Sequence, residues 1–551
     1  MDIIELIKQQ IINLNPVIEF KTNPNNKDLQ FELRPEHIKK FEIEEARAWY
    51  NGDCSTLQGF YTRQNLTNFL TDPIYLSAKQ MYFWAQEVRE KNTKVTHSGL
   101  PYNIIYTMVN VIGLSKIKIA DDNKQGINLL LKKILDFNSY DNFKINTQEP
   151  YTLTDGAGGV KIDFDYLVSK AYPITVYYGA EDVEYVKKSG HIIAGIFKNY
   201  YEINGTKYLL LETRRLLNTD LIIEHFLFTM DGVKDQVTPV PLNTIEQFTK
   251  IPNSIVIKGI NNLLFTPCIY FPSDENDNQG RSFFKGAIDI FDDLDQIYSI
   301  LANTVRASTP IEYIPEDMCK KDEQGNAIVP SKFNRTYIAK PTSKSADGVV
   351  DSTIQVTQPQ MQFGEFSTLI EKLTNSVCVG RMSPATLGID LTKRDNASAQ
   401  REKEKTTILT RNSIIKEQEK IDRSVCNQLL LACQFMHGEY NYKDYTDDIS
   451  VEFNEFANPS YEDEMRTLTP LLKQKAISPE RFMDIVYRNK LGAEDYAKEL
   501  EYIKNAVLND KLDSILPKQG DKDITTDNTN HLNKVNNDNF KDSDNLVKKV
   551  E

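Results

Sequence analysis

The sequence predicts an α+β protein, and three observations carry that reading. Residues 150–270 are rich in Tyr, Ile, Val and Phe and are broken by turn dipeptides, the pattern of antiparallel strands. Segments such as 282–307, 361–379 and 397–436 carry apolar residues at three- and four-residue spacing, the period of an amphipathic helix. The two kinds fall in blocks, in the order β-rich domain, linker, helix, β insert, helix, loop, long helix and helical C-terminus.

Residues 2–14 read as a short amphipathic helix that Asn15-Pro16 ends, and Thr22 to Lys27 as a loose polar arm. A second helix starts at His37, runs through Phe41, Ile43, Ala46 and Trp49, and stops at Asn51-Gly52-Asp53. Residues 75–115 read as mostly helical, with Ile104–Val109 in a core helix. In the β region, Ile192–Ile203 and Thr206–Thr213 flank Asn204-Gly205, which supplies the positive φ angles of a tight hairpin. Leu221–Met230 followed by Asp231-Gly232 repeats the device. Residues 271–280 form a polar linker. The helix over 282–307 carries Phe284, Ile288, Phe291, Leu294, Ile297, Leu301 and Val305, and Pro310 ends it. Residues 311–358 read as a compact β insert, and 361–379 as a helix carrying Phe366, Leu369, Ile370, Leu373 and Val377. A loop from Arg381 to Asp395 leads to Asn396, a good N-cap for a helix of about 60 Å over 397–436. Ile449–Phe453 reads as a strand and is followed by three short helices, one opened by Ser478-Pro479. From Pro517 the chain is too poor in hydrophobes to offset chain entropy, and disorder is expected.

Composition narrows the function classes. The 551 residues allow three or four domains, and 40% hydrophobic content supplies their cores. Lys+Arg 65 against Asp+Glu 78 gives a net charge of -13, which disfavours a sequence-reading nucleic-acid clamp. It leaves room for a protein that DNA passes through without sticking. No run approaches the ~18 apolar residues of a spanning helix, so no membrane partner is expected. Met1-Asp2-Ile3-Ile4-Glu5 carries acids where a signal peptide needs bases, which speaks against export. The six cysteines, Cys54, Cys268, Cys319, Cys378, Cys426 and Cys433, form no C-x-x-C pair and suggest a reducing compartment. Cys426 and Cys433 share a helix face and read as buried small hydrophobes.

No constellation argues for catalysis, and no cofactor or metal is implied. Asp155-Gly156-Ala157-Gly158-Gly159-Val160-Lys161 is glycine-rich but fits neither phosphate-loop spacing, and it reads as a flexible turn entering a strand. Asp274, Asn276 and Asn278 resemble the start of a calcium loop. The glycine comes one place late, however, and Lys285 stands where the bidentate Glu belongs, so a solvated linker is the reading. Asp289, Asp292, Asp293 and Asp295 cluster on the 282–307 helix and read as a solvated acidic face, of which an acidic wall facing a passage is a special case. The histidines are dispersed, and there is no G-x-S-x-G elbow.

Five segments, in their order and spacing, resemble the portal proteins of long-tailed bacteriophages. Gly280-Arg281-Ser282-Phe283-Phe284 leading into Ile288–Ser299 is similar to that family's linker and first stem helix. Thr309–Pro315 resembles the entry into the clip. Ser383-Pro384-Ala385-Thr386-Leu387-Gly388-Ile389, then Asn396–Ala399 and Arg401–Glu404, resemble the tunnel loop and the start of its long helix. Ala46–Gly52 resembles an early wing segment, and Phe453-Asn454 with Ser478-Pro479-Glu480 the passage into the crown. The match covers roughly residues 40–510.

The resemblance implies a portal fold divided as follows: an N-terminal arm over 1–39, a wing over 40–280, a stem helix over 281–309 and a clip over 310–360. A second stem helix over 361–380 and a tunnel loop over 381–396 come next. The long helix and a return strand of the wing fill 397–455, a helical crown 456–516 and a disordered tail 517–551. It implies a ring, a dodecamer in virions of the family, assembled in the host cytoplasm and seated at one capsid vertex beside major capsid and scaffolding proteins. Double-stranded DNA enters and leaves through its channel, a terminase drives packaging, a head-tail adaptor docks later, and the portal itself is not an enzyme. Ser383, Pro384, Leu387, Gly388, Lys393 and Arg394 would then form the tunnel loop, with Lys393 and Arg394 touching DNA and the apolar residues packing between subunits. Asp289, Asp292, Asp293 and Asp295 would form an acidic stem face that repels phosphates. Lys320, Lys321, Asp322 and Glu323 would form the clip's partner surface. Two other classes stay open: a phage DNA-processing metal-dependent enzyme built on the Asp cluster, and a capsid or tail adaptor without DNA passage.

Overall fold

The computed structural model describes residues 2–13, 15, 18, 31–32, 37–86, 94–120, 124–231, 236–273, 280–308, 310–328, 336–341, 354–357, 363–389, 397–439, 442–454, 468–473, 477–478 and 482. The chain divides into two compact units, Met1–Phe456 and Ala457–Glu551. Helices and sheets are both abundant, as an α+β reading requires. Among the described residues no helix is long and apolar enough to cross a membrane.

An antiparallel sheet of seven strands anchors the first unit. Six strands run in the order Phe31–Glu32, Gln236–Val240, Asp220–Asp231, Thr206–Leu217, His191–Ile203 and Val183–Lys188, and Ser254–Ile257 joins the Asp220–Asp231 strand. Alternation along Thr206–Leu217 assigns its faces: Leu209 and Leu211 pack in one core, Tyr208 and Leu210 in another with Leu242 and Phe248. The expected hairpin is present, with Asn204 and Gly205 both at positive φ, 51° and 76°.

The N-terminal arm expected over 1–39 begins with a helix that packs on this sheet. The helix Ile3–Ile12, capped by Asp2 through the Ile4 N–H at 2.9 Å, buries Ile3, Ile4, Ile7 and Ile11 against Leu209, Leu211 and Phe228. An isoleucine stripe at this spacing needs an apolar partner, and each buried isoleucine contributes roughly 1.5–3 kcal/mol. Phe31–Glu32 pairs with Val237 and Gln236 at the sheet edge. Thr22 to Lys27 lie outside the described residues.

A second sheet, Phe265–Cys268, Gly158–Asp163 and Ile174–Gly179, takes up the glycine-rich segment, which is a turn entering a strand as read, but closely packed and not loose. Asp155 ends the helix Glu149–Asp155, Gly156 caps it at φ 83°, and Gly158 opens a strand. A Cβ at Gly158 would stand 2.1 Å from the Tyr177 hydroxyl, and one at Gly159 2.2 Å from the Phe265 ring, so these glycines serve close packing. A buried ion network joins the two sheets. Lys161 Nζ lies 2.7 Å from Glu212, and Arg214 binds Glu212 at 2.7 Å and the Ile162 carbonyl at 2.7 Å. Burial opposes the Glu212 charge, yet Arg214 and Lys161 hold its carboxyl down at about 2.

The linker over 271–280 is tied at its ends: Pro272 pairs with Gly280, and the Arg281 N–H donates to the Phe271 carbonyl at 2.7 Å. Asp274, Asn276 and Asn278 lie outside the described residues. The first helix of the following pair begins at Ile288, not 282, because Gly286 at φ 76° interrupts the turns formed by residues 282–287. That helix, Ile288–Ala307, packs against Phe363–Cys378. Between them lies a small β module with Ile311–Pro315 at its centre, parallel to Thr336–Lys340 and antiparallel to Gln355–Thr357.

The long helix occupies Ala397–Met436. Its inward stripe is Thr407, Arg411, Ile414, Gln418, Ile421, Asp422, Val425, Cys426, Leu429 and Cys433, all buried, so the two cysteines are core residues as read. Arg411 donates to the Val111 carbonyl at 2.6 Å and thereby caps the C-terminus of the helix Leu100–Ile112, whose Ile104, Ile105, Met108 and Val109 are buried. The strand Ile449–Phe453 pairs antiparallel with Ser115–Ile119. In Ala457–Glu551, residues 468–473 are helical, Leu472 and Phe482 pack together, and the Phe482 N–H donates to the Ser478 carbonyl at 2.9 Å. The tail over 517–551 lies outside the described residues.

Candidate functional site

The helix pair, its β insert and the loop after it account for the acidic stem face, the clip surface and the loop residues expected from the sequence. On Ile288–Ala307 the polar positions Asp289, Asp292, Asp295, Ser299 and Asn303 recur every three or four residues and form one stripe. The stripe meets the chain on either side of residues 87–93. Asp289 accepts from the Tyr82 hydroxyl. Asp292 accepts from the Phe83 N–H at 2.7 Å and the Trp84 N–H at 3.4 Å. Asp295 accepts from the Trp84 indole at 3.1 Å and the Ser98 N–H at 2.8 Å, and lies 2.6 Å from His97 Nδ1. Ser299 accepts from the Thr96 N–H at 2.9 Å, and Asn303 from the Lys94 N–H at 3.0 Å.

The solvated acidic face is therefore corrected. Asp292 is 6% exposed and Asp295 0%, and both are spent on donors that an irregular segment cannot satisfy by itself. Burial pushes the Asp292 carboxyl up to about 7, against the pull of the Phe83 and Trp84 N–H groups and with the help of Asp293 and Asp295. Asp289 and Asp293 stay exposed, and burial, then Asp289, raises the Asp293 carboxyl. The sequence offered no signal for Trp84, His97, Ser98, Ser299 or Asn303, since the partners lie some 200 positions apart along the chain.

Among the described residues no group of three His, Cys, Asp or Glu side chains could hold a metal ion. A cleft of about 430 Å³ lies beside the stripe, walled by Glu45, Tyr75, Lys79, Tyr82, Asp155 and Asp289. Three of its charged groups are paired: Lys79 sits 2.8 Å from Glu45, and Asp155 binds Arg47 at 2.6 Å.

The loop after the second helix is half anchored. Arg381 donates to the carbonyls of Phe283 at 2.7 Å and Val377 at 2.9 Å. Ser383 is buried and its N–H donates to the Thr407 hydroxyl at 2.8 Å, and Thr386 meets the same hydroxyl at 2.8 Å. Pro384 to Ile389 close into successive turns, with Gly388 at φ 73°. Met382 is buried and Leu387 packs against the same core, so these two are held by their own chain and do not wait for a neighbouring subunit. Ile389 is exposed. Lys393 and Arg394 lie outside the described residues.

In the β insert, Lys320-Lys321 pairs with Ala327-Ile328 in a two-stranded hairpin. Asp322 accepts from the N–H groups of Asn326 at 2.7 Å and Gln324 at 3.0 Å, and these bonds lower its carboxyl pKa. Lys320, Lys321, Asp322 and Glu323 are all exposed at this tip. Asp322 builds the turn, so the free groups on display are the two lysines and Glu323.

No protein-family model matches the chain, and no curated protein matches it.

Proposed function

We propose that this chain is the subunit of a portal ring at a capsid vertex, through which double-stranded DNA is packaged and ejected. The observation that carries the reading is the helix pair Ile288–Ala307 and Phe363–Cys378, which encloses a β module and runs on through an anchored loop into the long helix Ala397–Met436. Apolar side chains on the pair support assembly: Ile300, Val305, Phe363 and Leu369 are exposed in a single chain. A two-helix unit that leaves such groups in water gains by placing a copy beside it, and a repeated heterologous contact closes into a ring.

In this reading the channel wall is supplied not by Asp292 and Asp295 but by the acids still exposed on the pair, Asp289, Asp293, Glu365 and Glu371. Carboxylates facing a duplex repel its phosphates and let it slide. The hairpin tip with Lys320 and Lys321 would meet the terminase during packaging and the head-tail adaptor afterwards. The segment from Ser383 to Arg394 would border the narrowest part of the channel. An enzyme built on the Asp cluster is disfavoured because Asp292 and Asp295 are committed to backbone and indole donors.

End-on negative-stain microscopy of the purified protein tests the reading. Rings with a central hole are expected. A protein that stays monomeric in native mass spectrometry at high concentration, or one whose metal-dependent DNA cleavage disappears in Asp293→Ala, overturns it.

A further inference from the structure

We propose that the long helix is docked onto the surrounding sheets and helices through a proton-binding site at Glu149, so that docking takes up one proton. The site is a cluster closed to water, in which the side chains of Lys144, Glu149 and Asp422 are all 0% exposed. Lys144 Nζ lies 2.7 Å from Asp422 Oδ2 and donates to the Ser115 hydroxyl at 2.9 Å. Asp422 accepts further bonds from Gln418 Nε2 at 2.7 Å, the Tyr140 hydroxyl at 3.1 Å and the Ser115 hydroxyl at 2.8 Å. Asp422 is thus the partner of Lys144 whose hydrogen bonds are satisfied.

Glu149 has no such support. Its Oε1 is 3.9 Å from Lys144 Nζ, and neither of its oxygens accepts a hydrogen bond among the described residues. One cation therefore faces two carboxyl groups in a site closed to bulk solvent. Two ionised carboxylates would leave an uncompensated buried charge, and protonating the unsupported one removes it.

The other groups around the site do not change the count. From the helical run of Glu149 come Tyr140, Lys144 and Gln148; from the long helix Gln418, Asp422 and Cys426; and from the strand beyond Phe265 come Cys268 and Tyr270. Burial raises the Tyr140, Tyr270, Cys268 and Cys426 acids, so each stays neutral. Burial first, then Lys144 in opposition and Asp422 in support, leave the Glu149 carboxyl at about 8.

The sign follows from linkage. A carboxyl whose pKa is raised in the docked state binds its proton there and loses it on exposure to water. Docking is therefore strongest below the ordinary glutamate value of 4.5 and weakens as pH rises to about 8. One linked proton changes the docking equilibrium about tenfold per pH unit across that window.

Hydrogen exchange of the long-helix amides in the full chain, from pH 5 to 9, tests this in wild type and Glu149→Gln. The ratio of the two exchange rates cancels the intrinsic pH dependence of exchange. It is expected to change about tenfold per pH unit up to about pH 8 and then level off. A ratio constant with pH overturns the proposal. Should Glu149→Gln fail to fold, Asp422→Asn leaves Lys144 facing a single carboxylate, and its exchange should show no such linked proton; the wild-type slope persisting there overturns it. Independently, infrared spectra of wild type near pH 6.5 should contain a buried protonated-carboxyl C=O band. Its absence overturns the proposal.

Discussion

Asp295 accepts the indole N–H of Trp84 at 3.1 Å although the two residues stand 211 positions apart. The bond fixes one of the two tryptophans of the chain onto the helix that opens the pair. It also shows what the acidic stripe is for: Asp295 serves Trp84, Ser98 and His97 at once, and its neighbour Asp292 serves Phe83 and Trp84.

Asp295→Ala should destabilise the fold by about 3–5 kcal/mol, because it orphans several buried donors at once. Asp293→Ala, on the exposed side of the same helix, should change stability by less than about 0.5 kcal/mol. Thermal unfolding followed by tryptophan fluorescence separates the two. Equal effects would mean that the stripe does not clamp the Trp84 segment.

Asp292 links stability to pH. Its folded carboxyl, at about 7, stands above the ordinary 3.8, so the folded state holds a proton that the unfolded state releases. This contribution is fully present below about pH 4 and is lost as pH rises towards 7. Unfolding midpoints measured between pH 5 and 7.5 should fall less steeply in Asp292→Asn than in wild type. Parallel profiles would place the Asp292 proton elsewhere.

Ring assembly should depend on the exposed apolar residues of the helix pair. Ile300→Asp, Val305→Asp or Leu369→Glu should shift mass photometry towards monomer while circular dichroism stays that of wild type. A charged side chain at an exposed position costs the free chain little, but it must be desolvated in an interface. Rings that persist in all three variants would exclude this face as the contact.

Lys320→Glu with Lys321→Glu should leave rings intact and weaken binding of a docking partner, read by co-sedimentation with terminase or adaptor. Charge reversal at an exposed rim acts on association more than on folding. Loss of the ring itself in this double variant would make the hairpin part of the assembly contact.

Gly280→Ala should be strongly destabilising, by about 3 kcal/mol or more. The added Cβ would stand 2.0 Å from the Gly156 carbonyl oxygen and 2.9 Å from that of Phe271, and backbone cannot move aside. Gly205→Ala, in an open turn at φ 76°, meets no atom and should cost only about 1 kcal/mol of backbone strain. Chemical denaturation of the two variants side by side checks the order.

What the sequence by itself determined is what neighbours along the chain decide. The long helix is legible because its buried positions, from Thr407 to Cys433, repeat at three and four residues without a break. The Asn204-Gly205 hairpin is legible because two adjacent residues set its turn. The helix Ile3–Ile12 was equally plain, but its partner was not: that Ile7 packs with Leu209 and Phe228 depends on where the sheet brings those strands. The same limit applies to the acids. Spacing puts Asp289, Asp292 and Asp295 on one side of a helix, and four carboxylates within seven residues suggest solvent. Only the tertiary structure, by laying the unsatisfied N–H groups of Phe83, Trp84 and Ser98 along that side, turns two of them inward. A side-chain acid is buried where the donors and the packing brought to it together offset its lost hydration, and that balance is set by groups brought together from distant parts of the chain.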